Sequence, residues 1–107
     1  MKQYTTPDQT AKLIELGFEK PKTIVDKYYD FDAEAYKEVN HYSIGELIEM
    51  LPTIIRREWC EYDLTISLDC VLYKAEGYLD LYWATRNDEL IDNLFDMVSQ
   101  LKEEGVI

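Results

Sequence analysis

The sequence predicts a small α+β domain: an antiparallel sheet, built on a central β-hairpin, packed against three helices in the order α-α-β-β-α. Three observations predict it. Two capping boxes, Thr6-Pro7-Asp8-Gln9 and Ser43-Ile44-Gly45-Glu46, each open an amphipathic stretch. The run from Glu61 to Leu72 alternates polar and apolar residues with period two. Leu90 to Leu101 repeats apolar residues at helical spacing and stops at Gly105. At 107 residues the chain reads as a single acidic domain spanning 1–107. That length buries roughly 65% of the unfolded surface without needing metals or disulfides.

The first helix is placed at 7–16. Thr6 caps it, Pro7 suits its first position, Leu13 and Leu16 lie on its apolar stripe, and Gly17-Phe18 stops it. Residues 19–42 carry the weakest pattern. Pro21 interrupts the chain, and Ile24, Val25, Tyr28 and Tyr29 suggest a short third strand near 23–29 within irregular structure. Asp32 to Val39 holds helix formers and an Asp32 cap, but for only about two turns. The second helix follows Ser43, buries Leu47 and Leu51, and ends before Pro52, with Ile54 and Ile55 kept in the core.

In the hairpin, Tyr62, Leu64, Ile66, Leu68, Cys70 and Leu72 form the dry face of one strand. A turn at Lys74-Ala75-Glu76-Gly77 returns the chain, pairing Leu72 with Leu79, Cys70 with Leu81 and Leu68 with Trp83. The wet face then sets Tyr73 opposite Tyr78, and Asp69 beside Tyr82. Asn87 is the expected cap of the last helix, with Asp88 and Glu89 at the positive end of its dipole.

The chain carries 22 acidic and 11 basic residues, a net charge of −11, and most of the excess falls after residue 60. Such a surface repels nucleic acid and anionic lipid and favours a basic protein partner or cations. Aromatics make up 13% of the chain, and its nine tyrosines suggest a sheet face or contact surface with half-wet rings. Cys60 and Cys70 lack the companions of a disulfide framework or a zinc site, so reduced thiols are expected. With no apolar leader and no long apolar run, the expectation is a cytoplasmic protein that does not enter a membrane.

The segments QTAKLIELGF at 9–18, SIGELIEMLP at 43–52 and ELIDNLFDMVSQLKEEGVI at 89–107 resemble a group of short proteins encoded by phages and prophage-like elements of Bacteroides-type gut bacteria. The resemblance covers about half the chain and leaves out the central hairpin and 19–42. It implies a mobile-element protein acting inside a bacterial cell. The group has no assigned activity, so no residue role carries over.

No constellation demands chemistry, and no catalytic, cofactor or metal residue is assigned. Asp30-Phe31-Asp32-Ala33-Glu34 starts like a calcium loop, but the sixth and twelfth positions hold Ala35 and His41 instead of glycine and glutamate. His41 is the sole histidine; a dyad with Ser43, Cys60 or Cys70 competes with structural roles for all three. Asp88, Asp92 and Asp96 recur every four residues, without the glutamate–histidine pairs of dinuclear helix sites. Trp59, Tyr62, Tyr78, Tyr82 and Trp83 lack the basic groove of a nucleic-acid stacking platform.

The candidate interaction surface is Asp88, Asp92, Asp96, Tyr73, Tyr78 and Tyr82. The expected function is a non-enzymatic accessory or interaction protein with an acidic face, or a self-associating one. The alternatives are an acidic inhibitor that mimics nucleic acid toward a basic host protein, and a small enzyme or divalent-metal domain.

Overall fold

The computed structural model describes residues 1–57, 60–75 and 81–107, and for 81–83 the backbone alone. Helix α1 spans Pro7–Glu15, β1 Thr23–Asp30, β2 Ala35–His41 and α2 Ile44–Met50. There follow β3 Ile54–Arg56, β4 Glu61–Ile66, β5 Val71–Ala75, β6 Leu81–Thr85 and α3 Leu90–Glu103. The class is α+β, but the order is α-β-β-α-β-β-β-β-α. The predicted α-α-β-β-α arrangement with one small sheet is therefore wrong. Among the described residues there are two antiparallel sheets, a two-stranded β1-β2 and a four-stranded β3-β4-β5-β6.

The helix ends follow local chemistry. Thr6 and Ser43 each accept a hydrogen bond from the backbone N–H three residues on, at 3.1 Å, and Gln9 and Glu46 bond back to the cap N–H. Gly17 and Gly105 sit at φ +102° and +76°. At both stops the glycine N–H and the next N–H reach back to carbonyls of the last turn: Gly17 to Ile14, Phe18 to Leu13, Gly105 to Lys102 and Val106 to Leu101. The expected Asn87 cap does not form. The α3 cap is Glu89, which makes no side-chain cap bond, and Asn87 instead donates to Asn93 Oδ1 at 2.9 Å and to Asp96 at 2.8 Å.

The strand expected over Glu61–Leu72 is two strands. Ser67 N–H donates to the Cys70 carbonyl at 2.9 Å, closing a tight turn at Leu68-Asp69. β4 then pairs with β5, Leu64 against Tyr73 and Ile66 against Val71. β5 in turn pairs with β6, Leu72 against Ala84 and Tyr73 against Trp83. Pairing across the Leu68-Asp69 turn exchanges parity. Even residues of β4 share a face with odd residues of β5, so Val71, Tyr73 and Ala75 are buried and Leu68 is 71% exposed. Leu81 pairs with Lys74 and Trp83 with Tyr73, so the predicted pairs Cys70 with Leu81 and Leu68 with Trp83 do not occur; the predicted Leu72–Leu79 and Tyr73–Tyr78 pairs and the Glu76-Gly77 turn fall on residues outside the described ones.

One face of the four-stranded sheet is covered. Ile91, Leu94, Met97, Val98 and Leu101 of α3 meet Ile55, Val71 and Tyr73 of the sheet, Leu47 and Leu51 around α2, and Leu13 of α1. The other face carries Arg56 paired with Glu61 at 3.1 Å, and Lys74 directly across from Asp63. Ile55 is in the core as expected, whereas Ile54 is 40% exposed. Among the described residues, no helix is long and apolar enough to cross a membrane.

The molecule is elongated. Its extents are 59 × 27 × 17 Å and its radius of gyration is 16.3 Å, against about 13 Å for a compact chain of this size. The β1-β2 hairpin, which occupies the segment expected to be irregular, pairs with itself and projects as an arm.

Candidate interaction surface

The arm forms because β1 is rich in β-branched and aromatic residues (Thr23, Ile24, Val25, Tyr28, Tyr29). Its turn is built by Asp30, whose Oδ1 accepts from the N–H of Asp32 at 3.0 Å and of Ala33 at 3.1 Å. These bonds, the Ala33 one foremost, and the Lys37 ammonium hold the Asp30 carboxyl below its ordinary value. Glu34 closes the turn at φ +51°. Thus Asp30-Phe31-Asp32-Ala33-Glu34 is a strand-to-strand turn, and the helix formers between Asp32 and Val39, in a segment expected to be irregular, lie mostly in β2.

The base of the arm is tied to the body. Glu46 receives the Thr23 hydroxyl and the Lys22 N–H (3.0 Å) while completing the α2 capping box. Burial alone would raise its carboxyl pKa, but the bonds from Thr23, Lys22 and Ser43 outweigh burial and lower it. Asn40 donates to the Pro21 carbonyl at 3.2 Å, and His41 Nδ1 lies 2.6 Å from the Thr10 hydroxyl, itself 2.7 Å from that of Thr5. His41 thus joins β2 to α1, while Ser43 caps α2.

Glu46→Ala is expected to cost about 1–2 kcal/mol, the value of a cap plus part-exposed hydrogen bonds. Native-state hydrogen exchange should show faster exchange in 23–41 than in α3. Because the folded carboxyl is the more acidic, its contribution is full above the ordinary glutamate pKa and is lost as pH falls below it.

The tip carries the rings. Tyr29 pairs across the strands with Tyr36 and touches Phe31, both edge to face, at centroid distances of 5.2 and 4.9 Å. Phe31 is 83% exposed and Tyr36 76%; Tyr28, on the opposite face, is half exposed. Large apolar groups gathered in the open mark interaction sites more often than single exposed ones do. The two arm lysines are already engaged, Lys37 with Asp30 at 3.3 Å and Lys27 with Glu38 at 3.9 Å. Asp32 and Glu34, in the turn, have no ion-pair partner among the described residues.

The sequence-predicted surface is dispersed. Tyr73 is wholly buried, its hydroxyl donating to the Pro52 carbonyl at 2.7 Å, so it presents nothing to a partner. Tyr78 and the side chain of Tyr82 lie outside the described residues. Asp88 precedes α3 and is exposed. Asp92 accepts from Lys2 Nζ at 3.0 Å and Gln9 at 2.9 Å; burial opposes its ionisation, but these bonds prevail and lower its pKa. Asp96 accepts from Asn87. Two of the three aspartates are thus spent on holding the N-terminal segment and the β6-α3 junction, and the trio does not form a phosphate-like row.

Two clefts among the described residues are shallow. One of about 220 Å³ lies at the arm's base beside Phe18, Tyr42 and Glu46. Another of about 490 Å³ runs along α3, where Lys12 and Glu103 already pair at 2.9 Å. Among the described residues, no group of three or more His, Cys, Asp or Glu is placed to hold a metal ion.

The short strand expected near 23–29 is β1, but it pairs with β2 and does not join the other sheet; β2 escaped the sequence because neither face of the arm is dry, so it shows no apolar alternation. The signal for its exposed rings was the tyrosine excess, since three of the nine tyrosines lie on the arm. Comparison with family models, curated proteins and solved structures finds no match.

Proposed function

We propose that this chain is a non-enzymatic accessory protein of a mobile genetic element, which works by holding a protein partner through the projecting arm. The observation that carries this is the ring cluster of Tyr29, Phe31 and Tyr36 at the tip, exposed and on a sheet whose two strands pair only with each other. Aromatic anchors of this kind supply a large share of the binding energy at protein interfaces. The mobile-element setting rests on the resemblance of the three helical segments.

A photo-crosslinking residue in place of Phe31, in cells that carry the gene, tests the proposal. A discrete heterologous adduct is expected there and not from a probe at Leu68, an exposed turn of the other sheet. No adduct from position 31, or the same adducts from both positions, sinks it.

A further inference from the structure

We infer that the arm tip receives a basic protein segment through its arginines, with guanidinium groups laid on the exposed rings and held by the turn carboxylates. This rests on the arm being the binding element, and it names the chemistry of the partner.

Three features of the tip select that chemistry. The rings expose faces with negative quadrupoles, which attract a cation laid over them. Phe31 and Tyr36 are the most exposed, and their edge-to-face contacts with Tyr29 hold all three rings in one cluster. Around them the charge is one-sided: residues 23–41 hold five acidic and two basic side chains, and both lysines are in ion pairs. Of the three carboxylates left over, Asp26, Asp32 and Glu34, the last two belong to the same turn as Phe31.

Arginine fits this arrangement better than lysine. Its planar, weakly hydrated guanidinium stacks on a ring and still forks toward a carboxylate, whereas an ammonium is a compact, strongly hydrated point charge. A phosphate-bearing or acidic partner would meet carboxylates with no free lysine on the arm. A second copy is disfavoured as well. A two-fold pairing of tips would bring Asp32 and Glu34 of both copies into one interface, between chains of net charge −11.

Titration calorimetry of the full chain with a short arginine–glycine peptide, and with its lysine counterpart, tests the inference at several salt concentrations. The arginine peptide should bind about tenfold tighter than the lysine peptide. Phe31→Ser with Tyr36→Ser should weaken it by about tenfold or more with only a small drop in melting temperature, since both rings are exposed and touch Tyr29 edge to face. The conservative pair Phe31→Tyr with Tyr36→Phe keeps the ring faces and should retain binding. Asp32→Asn with Glu34→Gln should weaken binding and flatten its salt dependence.

Equal binding by wild type and the serine variant would show attraction to the acidic surface as a whole and overturn the ring site. Failure of both peptides to bind, or concentration-dependent dimerisation abolished by the serine variant, would overturn the arginine assignment. A heterologous photoadduct at position 31 alongside any of these results leaves the arm a binding element for a partner of other chemistry, so the two failures are distinguishable.

Discussion

Replacing Leu94 with alanine is expected to lower folding stability by about 3–4 kcal/mol, the cost of a large-to-small change in a packed core. Leu94 is wholly buried, on the α3 face that packs against β5, β6 and α2. In a domain of this size the melting temperature should fall by roughly 15 °C or more. Urea unfolding should show an earlier midpoint at unchanged slope, as expected when stability alone changes. Leu68→Ala is the matching control. Leu68 is 71% exposed in the β4-β5 turn, and its loss should change stability by no more than about 0.5 kcal/mol. A continuous strand over 61–72 would instead put Leu68 in the core, so comparable losses at the two leucines would refute the observed register.

The second large effect is alkaline unfolding. Burial raises the pKa of the Tyr73 phenol, and burial with the negative charge of Glu46 raises that of Tyr42. Both hydroxyls donate to backbone carbonyls, Tyr73 to Pro52 at 2.7 Å and Tyr42 to Glu19 at 2.5 Å. In the unfolded chain a phenol ionises near pH ~10. Above that pH the unfolded state binds fewer protons than the folded state, so stability must fall as pH rises. It should be insensitive to these two groups below about pH 10, then fall by up to about 1.4 kcal/mol per pH unit for each.

Circular dichroism across the alkaline range, with urea melts at each pH, measures the slope. Tyr42→Phe with Tyr73→Phe should begin less stable, by about 1–3 kcal/mol for each carbonyl left without its donor. Its slope above about pH 10 should be markedly shallower. An unchanged slope would remove these phenols as the cause.

What was legible in the sequence was what a few neighbouring residues decide among themselves. The two capping boxes and the glycine stops at 17 and 105 are complete within one helical turn, so their side chains and φ preferences suffice to place them. The apolar stripe of α3 was equally readable, because a helix that covers a sheet must place its apolar residues at helical spacing. Asn87 shows the limit even here. A cap-forming residue caps only when it directly precedes the helix, and α3 begins three residues later.

Only the tertiary structure decided how the strands are used. Period-two alternation reports which side chains are dry, and it runs from Glu61 through the turn to Cys70, breaking only at Val71, because the turn happens to hold an apolar Leu68. Where the chain reverses depends on pairing with β5, a non-local choice that exchanges parity and sends Tyr73 into the core. The arm is the extreme case, since strands held to each other and exposed on both faces have no reason to alternate. The surface that the net charge of −11 suggested on the last helix is largely spent on internal bonds. The exposed rings that the tyrosine count hinted at are gathered instead on the arm, by cross-strand contacts that composition does not encode.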